Sequence, residues 1–466
     1  MANMLLRMIC NEANRAASLA FSRLPRRSLS VSSKTLIDAA AKEGELRVFL
    51  VAGEVSGDCI GSRLMSSLKK LSPFPIRFAG VGGSMMSGQG LKSLFPMEEI
   101  AVMGIWELLP HLNTIRVKLK ETVEAVGLFQ PHVVVTVDSK GFSFRLLRQL
   151  RAKYGQQGLA SPVHVHYVAP SFWAWKGGET RLKGLTEFVD HVLCILPFEE
   201  EVCRSNGLDA TFVGHPVLED ILEFNMGKDG SPNECKVQGN CEDFRRKYGI
   251  PSGATVITLL PGSRLQEVTR MLSIFSNTVE LLKDSFSELT IIIHVAPNKL
   301  VENYINGAVN KWPVSVKLIP GGSHLKYNAF CASRVALCTS GTVAVELQLA
   351  RLPCVVAYRA HFLTEMFVRF KAKIPFISLP NILLNSAIIP EALFEACTPA
   401  RLSSLLRELI QNEDLRAEQI IAAEKVLELL HPPPTIYSGQ QDLKLKFLDN
   451  TPSMVAASTI LYSGKS

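Results

Sequence analysis

Two stretches of this chain repeat one local design, and that design admits few folds. In residues 336–346, ALCTSGTVAVE, the apolar run that ends at Cys338 reads as a short strand. Thr339, Ser340 and Gly341 follow as a tight turn, and residues 342–350 carry helix-compatible spacing. In residues 255–264, TVITLLPGSR, an apolar strand ends in Pro261-Gly262-Ser263-Arg264. The helix after it has apolar positions Val268, Met271, Leu272, Phe275 and Val279, a three-to-four-residue period. Strand, small-residue turn and helix in that order are the repeating unit of an α/β fold. Such a turn leaves free N–H groups at a helix N-terminus, where the helix dipole adds partial positive charge, so it suits a phosphate. Arg264 adds a permanent cation that forks onto phosphate oxygens. Two such turns in one domain suggest a diphosphate held between Gly262, Ser263 and Arg264 and the backbone of Ser340, Gly341 and Thr342. Glu346 lies on the same helical face as Thr342 and suits a ribose diol. An N-cap followed by a surface glutamate is the plainer reading of that segment taken alone.

At 466 residues the chain suits two domains better than one. Its net charge of +7 is uneven: the first 34 residues hold six basic residues against Glu12, and the remainder holds 44 basic and 42 acidic. A nucleic-acid-binding body is therefore not implied. The leader is Arg- and Ser-rich and acid-poor, with Leu5, Leu6, Met8 and Ile9 as apolar surface, which is the composition of an organelle transit peptide, its arginines favouring a mitochondrial over a plastid one; a disordered tail without targeting meaning is the alternative. A run of eighteen apolar residues is absent from the sequence, so no membrane-spanning helix is expected. Ten cysteines are scattered without a C-x-x-C pair, so neither disulfides nor a zinc site is expected. Cys235 and Cys241 read as loop thiols in a polar insertion, residues 226–241.

Taken in order, residues 46–52 form a buried strand that leads into Gly53-Glu54-Val55-Ser56-Gly57-Asp58 and a helix. Neither the dinucleotide fingerprint nor a nucleophile elbow is present. The two carboxylates and the serine of this loop suit sugar hydroxyls better than phosphates. Residues 94–109 are apolar, with Met103, Ile105, Trp106, Leu108 and Leu109 close together. They read as core, or as a greasy lip for an acyl chain. Residues 132–137 form a strand that ends at Asp138, and ligands in open α/β sheets bind beyond strand carboxyl ends. Asp138 is thus a catalytic candidate, with N-capping as the alternative. The next helix pairs Leu146, Leu147 and Leu150 with Arg145, Arg148, Arg151 and Lys153; it could lie on an anionic membrane, with a merely solvated helix as the commoner reading. Trp173 and Trp175 sit in a Pro/Ser turn and are expected to pack or stack.

The motifs GEVSGD, GVGGSMM with AVMGIWELL, VDSKGF, HYVAPSFWAWK, LPFEE, VGHP, LPGSR-x-x-EV, TSGTVAVE, VVAYR and IPFISLPNIL resemble, in this order, those of the lipid-A-disaccharide synthases. The resemblance runs from about residue 47 to 398, and with the leader the chain resembles the plant mitochondrial form. It implies an α/β chain of GT-B architecture, two facing Rossmann-like domains with the active site in the cleft. The expected boundaries are 1–40 for the transit peptide, 41–220 for the acceptor side, 221–430 for the UDP-sugar side, and 431–466 for a tail with a return helix. The implied reaction joins UDP-2,3-diacylglucosamine to 2,3-diacylglucosamine 1-phosphate, giving a β-1,6-linked disaccharide 1-phosphate and UDP. Three departures stand out: Ser139-Lys140-Gly141 after Asp138, Asn385-Ser386 after the LPN motif, and the insertion at 226–241.

On that reading Asp138 is the base, and Glu54 and Asp58 orient sugar hydroxyls, with Glu54 as reserve base. Ser56, Gly57, Met103 and Trp106 lie on the acceptor and lipid side. Arg264 and the two turns relieve charge on departing UDP, Glu346 holds the ribose, and Asn381 faces the donor. No Asp-x-Asp pair occurs, so neither a metal on the diphosphate nor another cofactor is expected. The implied partners are the two acylated sugars and a membrane surface, on the matrix side of the mitochondrial inner membrane, with the oligomeric state open. Two alternatives remain: an epimerase or hydrolase acting on UDP-N-acetylglucosamine, and a non-catalytic lipid-binding protein. A reporter fused to residues 1–40 should enter mitochondria; retention in the cytosol would remove the targeting role of the leader.

Overall fold

The computed structural model describes residues 35–100, 105–225, 239–321, 325–339, 341–360, 362–433 and 450–462. Two sheets of six parallel strands carry the fold. The first comprises β1 (Leu46–Ala52), β2 (Ile76–Val81), β3 (Val133–Val137), β4 (Val163–Tyr167), β5 (His191–Cys194) and β6 (Ala210–Phe212), in the order β2-β1-β3-β4-β5-β6. The second comprises β7 (Thr255–Leu260), β8 (Leu289–Val295), β9 (Ser315–Pro320), β10 (Val335–Cys338), β11 (Cys354–Tyr358) and β12 (Glu391–Leu393), in the order β12-β11-β10-β7-β8-β9. Helices cover the strands on both faces, so central strands such as VVVTV of β3 are fully buried rather than alternating, apolar but for Thr136. The helix Leu265–Leu282 buries the stripe Val268, Met271, Leu272, Phe275 and Val279 against this core, as its period predicts.

Each strand order reverses once. In the first sheet the chain leaves β1 for β2 on one side and returns to β3 on the other; in the second, β8 and β10 flank β7. A crevice opens at each reversal, beyond the strand carboxyl ends. Those ends are Glu54 and Asp138 in the first sheet, and the Gly262 and Gly341 turns in the second.

The sheets are tied together by the returning chain. The helix Glu413–Leu430 packs Val426, Leu427 and Leu430 against Leu196, Val217, Leu218 and Ile221, and the His215 N–H donates to the Leu430 carbonyl at 2.9 Å. The last helix, Pro452–Tyr462, lies on the first sheet's side, with Val455, Ala456, Ile460 and Leu461 packed among Leu64, Met65 and Leu68. Arg63 adds a polar tie. It reaches the Asp220 carboxylate at 2.8 Å, both Glu223 oxygens and the Pro216 carbonyl.

Two expectations need correction. Cys241 is not a loop thiol: it opens the helix Cys241–Lys247 and forms a disulfide with Cys331, their Cα atoms 5.2 Å apart. Ninety residues separate the pair in sequence, so spacing gave no sign of it. Cys235 and the rest of residues 226–238 lie outside the described residues. The basic helix after Asp138, Lys140–Gln156, is a core helix rather than a membrane face. Its Leu146, Leu147 and Leu150 are wholly buried, Arg151 grips both oxygens of Asp190 at 2.8 Å, and Arg148 lies over the Phe188 ring.

Candidate active site

At the first reversal the loops after β1 and β3 touch. A Cβ on Gly53 would stand 2.4 Å from the Ser139 hydroxyl oxygen, so only glycine allows the approach. Asp138 and Ser139 both adopt left-handed backbone, with φ of 47° and 46°, a conformation that residues with a Cβ seldom hold. The Asp138 N–H extends the ladder to the Tyr167 carbonyl at 2.9 Å, and the Ser143 hydroxyl donates to the Asp138 carbonyl at 2.7 Å. Glu54 and Asp138 are thus held side by side at the crevice, each partly buried.

Their surroundings push both carboxyls above the ordinary carboxylate range. For Asp138 the cause is burial, opposed by the Lys140 charge, the Ser139 N–H and Arg264. For Glu54 it is burial together with the negative charge of Asp138, opposed by Arg264. Lys140, which belongs to the altered loop, therefore favours the ionised form of Asp138.

Arg264 comes from the other sheet. It is the N-cap residue of the helix Leu265–Leu282, half-exposed, with its guanidinium 3.7 Å from the Glu54 carboxylate. This contact sets the carboxyl ends of the two sheets opposite each other. Beside it Gly262 has a φ of 116°, and a Cβ there would lie 2.3 Å from a Glu267 carboxylate oxygen. The Glu267 carboxylate receives the backbone N–H groups of Ser263 and Arg264 and the Thr339 hydroxyl, and burial raises its pKa. Two of the amides expected to hold phosphate at this turn, those of Ser263 and Arg264, are therefore taken by the chain's own carboxylate, while the Arg264 side chain reaches across the cleft to Glu54. Sequence reasoning passed over Glu267, although a glutamate three residues after an N-cap is a recognisable signal.

In the second turn Gly341 is exposed and adopts a φ of 124°, and the helix Thr342–Leu349 follows. Ser340 lies outside the described residues, as does the Thr342 side chain. Glu346 is held by Lys326 at 3.0 Å. Lys326 also lies 3.8 Å from Asp220, which accepts the Tyr327 hydroxyl at 2.7 Å. Lys326, Tyr327 and Asp220 were not singled out from sequence; they meet only because the helix Leu325–Ala332 packs beside residue 220.

Two expected site residues turn inward. Asp58 is 3% exposed and accepts the N–H groups of Gly83, Met85 and Met86 at 2.8–3.0 Å. It fixes the loop after β2, and these amides take three of the roughly four acceptor positions of its carboxylate. Asn381 is fully buried: its amide donates to the Ile389 carbonyl and to Glu391, and its carbonyl accepts the Ile389 N–H at 2.9 Å. Glu391 also gathers the Ile377 and Ser378 N–H groups and the Ser378 hydroxyl. The IPFISLPNIL segment is thus a structural clamp, and Asn381 does not face a donor. Ser56 is exposed at the start of the helix Val55–Leu71, while Gly57 packs on Ala52 and the Val137 carbonyl. Met103 lies outside the described residues, and of Trp106 only the backbone, in the helix Ile105–Phe129, is described. Trp173 donates to Glu199 at 3.1 Å, and burial lifts this carboxyl to about 7.

Two parallel sheets opposed at their carboxyl ends across a cleft, with a carboxylate pair on one side and an arginine-bearing turn on the other, define a GT-B fold. Solved structures agree on the fold alone. S. aureus MnaA with UDP matches with a TM-score of 0.54 at 12% identity, covering 82% of this chain and 95% of that one. A glycotransferase of kitacinnamycin matches at 0.52 and 12%, covering 90% and 98%. The family described as lipid-A-disaccharide synthetase matches residues 48–440, and the chain belongs to that family. A probable mitochondrial lipid-A-disaccharide synthase of Arabidopsis thaliana is 63% identical over 92% of this chain and 94% of that one. The lipid-A-disaccharide synthase of Rhodospirillum centenum is 42% identical over 83% and 90%.

The inward-turned Asp58 gives a direct test. Asp58→Ala takes the acceptor from three N–H groups, that of Met86 buried and those of Gly83 and Met85 partly so, and should lower unfolding stability by about 1–3 kcal/mol, read as a fall in the denaturation midpoint. Unchanged stability with lost turnover would instead return Asp58 to the reacting groups.

Proposed function

We propose that the chain is an inverting glycosyltransferase that joins UDP-2,3-diacylglucosamine to 2,3-diacylglucosamine 1-phosphate. The observation that carries the reading is the Glu54–Asp138 pair facing Arg264 across the cleft, in a chain of this family. The acceptor 6-hydroxyl oxygen attacks the donor's anomeric carbon as the bond to the diphosphate breaks, and UDP leaves with the electron pair. Asp138 takes the hydroxyl proton. Arg264 leaves Glu54 for the departing diphosphate, where a preorganised cation counts most. Glu54, freed of it, orients the acceptor. Glu346 takes the ribose hydroxyls, with Lys326 fixing its carboxylate beforehand. The likeness to epimerases is of fold at 12% identity, whereas family membership rests on residues 48–440.

The location proposed with this activity is mitochondrial, in line with the name of the Arabidopsis relative and the acid-poor leader. Among the described residues no helix is long and apolar enough to cross a membrane. Contact with the lipid substrates is proposed to be peripheral, through the apolar residues 103–109.

Product analysis with the two acylated glucosamines tests the reaction: the expected outcome is a disaccharide 1-phosphate and one UDP. UDP release without a disaccharide would favour a hydrolase, and no UDP release a non-catalytic lipid binder.

Asp138→Asn keeps the side chain's size but cannot take a proton, so turnover should fall roughly a hundred- to ten-thousand-fold with UDP affinity nearly unchanged. In the unmodified enzyme, activity should fall as pH drops through the raised Asp138 pKa, because only the ionised form accepts the proton. Arg264→Ala removes a charge that favours ionisation and should move this acid limb to higher pH. Near-normal turnover in Asp138→Asn would transfer the role of base to Glu54.

A further inference from the structure

The helix Phe362–Lys371 shows an apolar face that the proposed reaction does not use. Met366 is 55%, Phe367 52% and Phe370 70% exposed. On a 3.6-residue period Phe367 and Phe370 lie opposite Glu365, with Met366 beside them. Glu365 is turned inward, buried, and accepts the Ala360 N–H at 3.2 Å. The outward face is thus a stripe of two aromatic rings and a methionine.

Cations rim this stripe. The Lys371 and Lys176 ammonium groups each lie 5.6 Å from the centre of the Phe370 ring. Arg369 is half-exposed and paired with Glu395 at 3.2 Å, and Lys373 is paired with Glu179. Four cations against two acids leave the rim positive. Lys176 and Trp175 belong to the first sheet's side, and Trp175 rests on the Phe367 ring at 5.9 Å. Two backbone hydrogen bonds close the seam: Lys176 N–H to the Lys371 carbonyl at 2.8 Å, and Lys373 N–H to the Ala174 carbonyl at 2.9 Å. The patch therefore spans both halves of the cleft.

We propose that Met366, Phe367 and Phe370, rimmed by Lys176, Arg369, Lys371 and Lys373, form a docking surface for an anionic lipid bilayer. The charge pattern selects this occupant. Aromatic and sulfur side chains enter the headgroup boundary while lysines beside them reach anionic headgroups, the arrangement of an interfacial helix. An apolar protein partner would have no use for ammonium groups stationed over the central ring. The surface is separate from residues 103–109. It rests on the lipid-substrate reading only in explaining why the enzyme would dock, since two membrane-resident substrates must enter a cleft whose halves this patch joins. Bilayer contact there would hold Trp175 and Phe367 together and present the cleft to the membrane.

The test is sedimentation of the full chain with vesicles of phosphatidylcholine, with and without cardiolipin, at low and high salt. Met366→Glu with Phe370→Glu should reduce the vesicle-bound fraction about tenfold or more on the anionic vesicles. Lys176→Glu with Lys371→Glu should abolish the preference for cardiolipin and the salt sensitivity. Leu128→Glu, at an 88% exposed leucine elsewhere, should bind like the unmodified chain. The milder Phe370→Ala supplies a folded readout with an intermediate loss, checked by an unchanged melting temperature. Two results would overturn the proposal: patch variants that bind vesicles normally, or a patch variant that only turns a dimer into a monomer. Vesicle binding is read without turnover, so an absence of transferase activity would refute the proposed reaction and leave this result intact.

Discussion

The close approach of the loops after β1 and β3 is the constraint on which the site depends. Parallel strands that diverge at a reversal leave their carboxyl ends adjacent, and the absence of a side chain at Gly53 lets Ser139 close the gap. Two carboxyls are then held in one crevice, partly withdrawn from water, with raised affinity for protons. The left-handed backbone at Asp138 and Ser139 is strain that the surrounding ladder and the Ser143 hydrogen bond hold in place. In the proposed reaction, the activation of the base is thus stored in the fold.

The second sheet contributes the opposite charge by a similar device with a different economy of hydrogen bonds. Gly262 turns the chain so that Glu267 can reach back over Ser263 and Arg264 to Thr339. The carboxylate occupies the amides that an unmodified helix N-terminus would offer to an anion, and links the turn after β7 to the end of β10. The Arg264 side chain is then directed across the cleft toward Glu54. Positive charge meets the pair of carboxyls before any substrate is present.

The two halves are joined at several places, by different physics. Apolar packing of the helix Glu413–Leu430 and of the last helix is the firm tie, deeply buried. Arg63, Asp220, Lys326 and Glu346 form a charged chain from the helix after Glu54 to the helix Thr342–Leu349. The seam between Lys176 and Lys371 rests on backbone hydrogen bonds at the surface. A mostly buried ion chain fixes orientation more than it adds stability, which is what a site assembled from two domains requires.

The sequence alone determined the repeating strand–turn–helix units, the two glycine-bearing turns, the strand-end position of Asp138 and the order of the family's motifs. These are local properties: an apolar run of strand length, a glycine where the chain must turn, a helical period. It did not determine which polar side chains face the cleft. Asp58 and Asn381 carry the right chemistry in the right motifs, yet each is consumed by amides from segments that meet it only in three dimensions. Glu267 and Lys326 acquire their places in the same way, and Cys241 finds Cys331 across ninety residues. The outward face of Phe362–Lys371 is a matter of tertiary structure too. Its residues read as a basic, aromatic stretch, and only the inward turn of Glu365 decides which of them meet solvent. Hydrogen-bond satisfaction of buried polar groups is settled by non-local neighbours, and that is why the fold was legible before the site was.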